Sequence, residues 1–338
     1  MSMDGTLLLS RRDVTELLTI DECLCAVEQA FKLYGDGAVP KPGILSAHCP
    51  DGAFHIKAGL LSLERPYFVV KTNGNFFQNS RRFGLPNIQG IILLCDAETG
   101  SPLALMDSIE ITIRRTGAAT AVAAKYLSRP ESKTMTICGG GNQGRISLET
   151  ILKVRPIERV YVYDIDASQA ARFALELSGQ LQIEIEATEN LAEALSQSDI
   201  CVTCTPSRKH FLNREDVAPG TFIAGVGADS KEKQELDPKL LAANKVVVDI
   251  LDQCASIGDL HHALDEGLLT RSSVHAELGE VVSGKKAGRS SAEEIIIFDS
   301  TGMALQDAAT AIVVYEKAIT ANRGVKLNFA QSARTLND

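Results

Sequence analysis

Residues 134–144 read TMTICGGGNQG, which sets Gly139, Gly141 and Gly144 in the spacing G-x-G-x-x-G. That spacing alone is weak, and its surroundings supply the constraint. Thr134 to Cys138 is rich in β-branched and apolar residues and reads as a short buried strand. Arg145 to Lys153 reads as a helix, and Arg159 to Tyr163 as a second strand that ends at Asp164. Strand, glycine turn, helix and strand in this order make a dinucleotide-binding βαβ unit. Gly139 lets the chain turn tightly, Gly141 lets the backbone approach a pyrophosphate, and Gly144 lets helix and strand pack closely. The helix start offers N–H groups and the positive end of a dipole to phosphates. Asp164 can accept hydrogen bonds from an adenosine ribose and would repel a 2′-phosphate. No Arg follows it at once, so NAD is favoured over NADP.

The alternation continues downstream. Helices at Ala167 to Leu177, Asn190 to Gln197 and Pro238 to Ala243 are interleaved with strands at Ile183 to Ala187, Asp199 to Thr205, Thr221 to Gly227 and Val246 to Ile250. A last strand turns at Ser300 to Gly302 into a helix that runs to about Thr320. The expected fold is α/β, a doubly wound parallel sheet of the Rossmann kind. Ligands of such sheets lie beyond the C-terminal strand ends, where Gly139, Asp164, Thr205, Gly227 and Asp229 fall. Val226, beside Gly227, joins the cofactor-binding candidates. His261 and His262 are adjacent on a short helix, point to different sides and make poor shared metal ligands; no metal site is expected.

The first region reads differently, as α+β with an antiparallel sheet. Lys41, His55 and Lys57 fall in strands separated by Pro50-Asp51-Gly52, and Lys71 ends a strand at Tyr67 to Thr72. One face of that sheet covers a core and the other can meet a partner subunit. Ile111 to Leu127 reads as an Ala-rich helix with Arg114, Arg115 and Thr116 at its start, where backbone N–H groups would add to anion binding.

Composition narrows the function. With 338 residues the chain is long enough for two domains. The formal charge is −9 and Lys and Arg are scattered, so no nucleic-acid surface is indicated. No apolar run approaches the roughly 20 residues of a membrane span, and the N-terminus lacks a signal-peptide layout, so the expected location is cytoplasmic. Cys201 and Cys204 form a C-x-x-C inside an apolar strand and read as packing residues.

The run Arg115 to Ala121, RTGAATA, resembles a helix of the ornithine cyclodeaminase/mu-crystallin family. Lys71 with Gly74, the GGGNQG loop, GADSKEKQEL at 227–236 and FDSTGMALQD at 298–307 resemble that family in the same order. The likeness spans about residues 7 to 320. It implies that Arg115 and Lys71 hold a substrate α-carboxylate, with Lys41 as a further basic ligand. Asp229 would be the general acid/base, with Lys71 as its catalytic companion. Asn142 and Gln143 would meet the phosphates, Thr116 would join them, and Thr205, Lys233 and Ser300 would lie on the nicotinamide side. It also implies a substrate-binding and dimerisation domain at 1–120 with 303–338, an NAD-binding domain at 121–302, and a homodimer. The residue types suit the chemistry: Arg grips a carboxylate with a planar fork, and a carboxylate can exchange a proton with an amine. Ornithine-cyclising members carry a glutamate on the strand before Lys71, where this chain has His55 and Lys57. A basic pair repels a second amino group and suits a neutral or acidic side chain. The expected activity is therefore NAD-dependent oxidoreduction at the C–N bond of a small α-amino or α-imino acid. A cyclodeaminase that releases ammonia, or a ligand-binding protein without turnover, is the alternative.

Overall fold

The computed structural model describes residues 5–328. The chain divides into two compact units: residues 1–30, 37–115 and 303–338 form one, and 31–36 with 116–302 form the other.

The second unit is built on an eight-stranded sheet in the order Ala276–Glu277, Lys245–Val248, Ile296–Asp299, Phe222–Gly225, Ile200–Thr203, Thr134–Cys138, Arg159–Tyr163 and Glu184–Ala187. Every neighbouring pair is parallel. The central strands are apolar without alternation and fully buried, as a sheet covered on both faces requires. Thr134–Cys138 lies between Ile200–Thr203 and Arg159–Tyr163, so the strand order reverses beside it and the glycine turn sits at the switch point. The helix after the turn is Asn142–Ile151 with Gly141 as its N-cap, three residues earlier than the sequence suggests. A parallel pair at Arg208–Leu212 and Gln234–Leu236, and short helices at Leu251–Ile257 and Leu278–Val282, have no counterpart in the sequence reading.

The two histidines need correction. Their rings lie 3.8 Å apart rather than on different sides of the helix. The His261 ring folds back onto the Gly258 carbonyl (2.6 Å), and that of His262 meets the Lys233 carbonyl (2.9 Å). Among the described residues no group of three or more His, Cys, Asp or Glu is placed to hold a metal.

The first unit carries a seven-stranded sheet in the order Val325–Leu327, Thr6–Leu9, Pro102–Asp107, Ile88–Asp96, Pro66–Asn75, Gly52–Ser62 and Gly43–Cys49. All pairs are antiparallel except Thr6–Leu9 with Pro102–Asp107. Alternation sorts its faces. Gly59, Leu61, Tyr67, Val69, Ile92 and Leu94 point to the buried side. There the helix Ala304–Thr320 crosses so closely that a Cβ on Gly59 would stand 3.3 Å from the Ala304 Cβ. The opposite face presents Leu45, Phe54, Phe68 and Ile91, all exposed. The tail expected to be extended after Asn322 supplies the edge strand Val325–Leu327; its end, from 329 on, lies outside the described residues.

The helix read from Ile111 starts at Ile109. Asp107 caps it, its Oδ1 accepting from the Ile109 and Glu110 N–H groups (3.0 and 3.2 Å). Thr116 is therefore inside the helix and not at its start. Its N–H belongs to the intrahelical ladder, which corrects the anion-binding role given to backbone groups at this point.

Candidate active site

In the second unit the motif glycines meet three different demands. Gly139 has φ +110°, a conformation that side chains disfavour. A Cβ on Gly144 would lie 2.2 Å from the Gly139 carbonyl oxygen, so helix and turn touch there without room for a methyl. A Cβ on Gly141 would meet nothing within 4 Å. Protein packing does not explain Gly141, whereas an approaching phosphate does. Beside it Asn142 is exposed at the helix start, and Gln143 has a buried Oε1 with no hydrogen-bond partner. Asp164 accepts from the Gly140 N–H (2.8 Å) and the Asp166 N–H (3.0 Å), which fixes its half-buried carboxylate at the turn. These residues fit a dinucleotide.

At the next strand ends the side chains turn inward. Thr205 gives its N–H (2.6 Å) and hydroxyl (2.8 Å) to Glu235 Oε1. Glu235 Oε2 takes the Thr203 hydroxyl (2.8 Å) and the Gly227 N–H (2.9 Å). A Cβ on Gly227 would stand 2.5 Å from that oxygen. Val226, half-buried directly before it, bonds back to Thr203. Ser300 donates to Asp249 Oδ2 (3.0 Å), which also takes the Gly302 N–H (2.5 Å). Asp299 accepts from the Asp259 and Leu260 N–H groups (3.2 and 2.9 Å), and Asp259 from those of Glu235 and Leu236 (2.8 and 3.1 Å). Burial first, then repulsion from Asp259, lifts the Glu235 carboxyl to about 7, against the pull of its hydrogen bonds to Thr205 and Thr203. Burial also pushes Asp259 and Asp299 up.

Asp229 follows in a turn, with no helix after it to cap: Lys233 N–H bonds Ser230 and a strand begins at Gln234. Its carboxylate is 44% exposed and lies 2.6 Å from Lys233 Nζ, which also reaches the Gly227 carbonyl (3.2 Å).

The first unit assembles the basic residues. Lys57 and Lys71 are directly paired across neighbouring strands and both are buried. Lys71 Nζ lies 2.8 Å from both Asp307 oxygens. Arg115 Nε donates to Asp307 Oδ1 (3.1 Å) and its Nη1 to Gln306 Oε1 (2.8 Å). Burial would raise the Asp307 carboxyl, but Lys71, Arg115 and Lys57 outweigh it and hold the group below its usual range. Burial lowers Lys71 to about 7; Asp307 opposes that shift, while Arg115 and Lys57 add to it. His55 sits two residues before Lys57 on the same strand face, its Nδ1 3.2 Å from Ser46 Oγ. Lys41 is exposed just before the strand Gly43–Cys49. Sequence reasoning found the cations but missed Asp307 and Gln306. The available signal was polar Gln306-Asp307 in the otherwise apolar start of the last helix.

A parallel sheet with this glycine turn at its switch point defines a dinucleotide-binding α/β protein. The chain belongs to the ornithine cyclodeaminase/mu-crystallin family, whose model matches residues 5–322. It is 40% identical to the alanine dehydrogenase of Archaeoglobus fulgidus over 325 residues, 96% of this chain and 98% of that one. Its fold matches the solved archaeal alanine dehydrogenase dimer with bound NAD at a TM-score of 0.91 and 39% identity, over 96% of this chain and 99% of that one. It also matches Thermococcus litoralis Δ1-pyrroline-2-carboxylate reductase, solved with NADH and L-proline, at 0.90 and 37%, over 95% and 100%.

Proposed function

We propose that this chain is an NAD-dependent oxidoreductase that acts on the C–N bond of a small α-amino or α-imino acid. The observation that carries the substrate class is the buried group of Lys71, Arg115 and Lys57 beside the carboxylate of Asp307. Lys71 and Arg115 converge there in a dry place, with Lys57 paired beside Lys71, and cations gathered in this way suit a substrate carboxylate. Asp307 and Gln306 take Nε and Nη1 of Arg115 and so fix the plane of its fork. Gly141, Asn142 and Gln143 would hold the pyrophosphate and Asp164 the ribose; Thr205, Val226, Gly227, Lys233 and Ser300 would support the nicotinamide side. NAD, when bound, supplies or takes the hydride at the substrate Cα. The chain's own part is to hold the carboxylate with Arg115 and Lys71 and to move the proton at nitrogen. Asp229 is the group assigned to that proton. Lys71, brought to about 7, can also exchange one near neutral pH.

Lys57 in the cation cluster argues against a substrate with a second ammonium, and so against diamino-acid cyclisation. A homodimer is supported by the exposed apolar sheet face, by a groove of about 470 Å³ on it that includes Phe54 and Phe83, and by the dimeric archaeal relative. The location proposed is cytoplasmic, which the free cysteines support; no helix among the described residues is long and apolar enough to cross a membrane.

A panel of amino and imino acids, followed by NADH absorbance and by ammonia release, tests the reading. A net change in NADH with at least one substrate is expected. Ammonia without net NADH change would show a cyclodeaminase instead, and tight ligand binding with neither would show a binding protein.

A further inference from the structure

The sheet of the second unit hides a carboxylate that the catalytic scheme does not use. Glu235 is fully buried, and all four of its side-chain hydrogen bonds go to the ends of two neighbouring strands: Thr203 in the last position of one and Thr205 just past it, and Gly227 just past the other. We infer that Glu235 is a positioning residue, whose ionised carboxylate ties these two strand ends into the one arrangement that accepts the nicotinamide half of the dinucleotide. The inference rests on the dinucleotide reading above.

Three features set Glu235 apart from an ordinary buried acid. Each of its oxygens accepts one backbone N–H, from Thr205 and from Gly227. An amide in its place must turn its NH2 toward one of those N–H groups in either orientation, so only a carboxylate satisfies both. Gly227 leaves no room for a Cβ beside it, so the contact is built in by backbone shape. The Glu235 N–H is anchored by Asp259, which Asp299 holds through the N–H groups of Asp259 and Leu260. The groups that face Glu235 are Asp259, Cys138 and Cys204, with Asp299 behind Asp259. Lys233 is the cation on the Gly227 carbonyl. A protonated Glu235 donates its own proton, so a Thr203 or Thr205 hydroxyl reverses or a backbone N–H is released, and the Thr205 and Gly227 N–H groups then face a neutral, weaker acceptor. The clamp therefore loosens as pH falls through the neutral range, in the direction that its raised pKa sets.

NADH and ADP-ribose are the probes, because ADP-ribose uses only the Gly139-to-Asp164 side. Wild type should bind NADH about tenfold more weakly at pH 6 than at pH 8, the scale of one lost hydrogen bond to a charged group. ADP-ribose affinity should change little. Glu235→Gln should bind NADH at pH 8 as weakly as wild type does at pH 6, without further pH dependence, and bind ADP-ribose normally. Glu235→Asp should recover part of the NADH affinity. Normal NADH binding by Glu235→Gln, or equal loss of both probes, overturns the inference. Should the variants not fold, hydrogen exchange on the wild type decides. After correction for intrinsic rates, the Thr205 and Gly227 amides should be more protected at pH 8 than at pH 6, and equal protection overturns the clamp. Wild type that binds neither probe overturns the dinucleotide reading itself and this inference with it.

Discussion

Each unit buries carboxylates, and the two solve the problem in opposite ways. In the first, Asp307 is fully buried but faces Lys71 and Arg115, and stays ionised. In the second, Glu235, Asp259, Asp299 and Asp249 are met by N–H, hydroxyl and thiol groups, and no salt bridge among the described residues reaches them. Burial then wins for Glu235, Asp259 and Asp299, which are pushed up. A cation partner fixes charge and so prepares a permanent grip on an anion. A hydrogen-bonded cage leaves the charge free to change near neutral pH, which suits adjustment of loops.

The largest expected effect separates the two designs. Asp307→Ala strips the counter-ion from Lys71 and Arg115. Lys71 can escape by losing its proton, but Arg115 cannot, so the cost should be about 3–5 kcal/mol of unfolding free energy. Asp299→Asn removes a charge that its surroundings already oppose, and leaves one N–H facing an amide. Its cost should be about 1–3 kcal/mol. Urea unfolding of both variants at pH 8 measures this. Equal costs would mean that the cations around Asp307 contribute no more than a hydrogen-bonded cage does.

The same contrast explains what could be read from sequence. The βαβ pattern, the glycines and the order of the strands are local, and periodicity reveals them. Lys71 and Arg115 could be singled out because they lie in family-like motifs. Asp307 is 236 residues from Lys71 and 192 from Arg115, and nothing local says that these meet. Glu235 lies 30 residues beyond Thr205, in a three-residue strand too short to show alternation. Thr116 was misplaced because the Asp107 cap follows directly on a strand, where the sequence gives a polar corner and no clear start. The close approach of the two histidine rings depends on one ring turning back to Gly258, a rotamer choice that residue spacing along a helix does not reveal.

A second, smaller effect is in the pH dependence of stability, where the two clusters should act with opposite sign. Glu235 is raised from 4.5 to about 7. Its folded form holds the proton longer than the unfolded chain does, so its contribution is full below pH 4.5 and is lost as pH rises to 7. Lys71 is lowered from 10.5 to about 7. The folded form sheds that proton early, so on its account stability grows as pH rises from 7 to 10.5. Each slope integrates to roughly 3–5 kcal/mol at most, spread over several pH units and so smaller at any one pH. Denaturation across pH 5–10 should show that Glu235→Gln flattens the acid-side decline and Lys71→Met the alkaline-side rise. Slopes that survive both substitutions would place the titrating groups elsewhere.

The smallest effect probes the first cluster from within. Lys57 and Lys71 stand directly opposite each other on adjacent strands, on the same buried face. Like charges in that relation repel by roughly 0.2–1 kcal/mol, and the repulsion is one of the forces that lower Lys71. Lys57→Met keeps the length and apolar stem of the side chain and removes the charge. The Lys71 ionisation should then move upward by roughly half a pH unit. The readout is the pH profile of reductive kcat/KM with whichever imine the substrate panel identifies, with the limb near neutrality displaced to higher pH. The same variant should lose selectivity for acidic over neutral substrate side chains, since one positive charge is removed from beside Lys71. A limb that stays in place while selectivity changes would show that Lys57 meets the substrate but does not tune Lys71. A limb that moves downward would contradict the repulsion itself, and with it the view of this cluster as cations gathered around one fixed carboxylate.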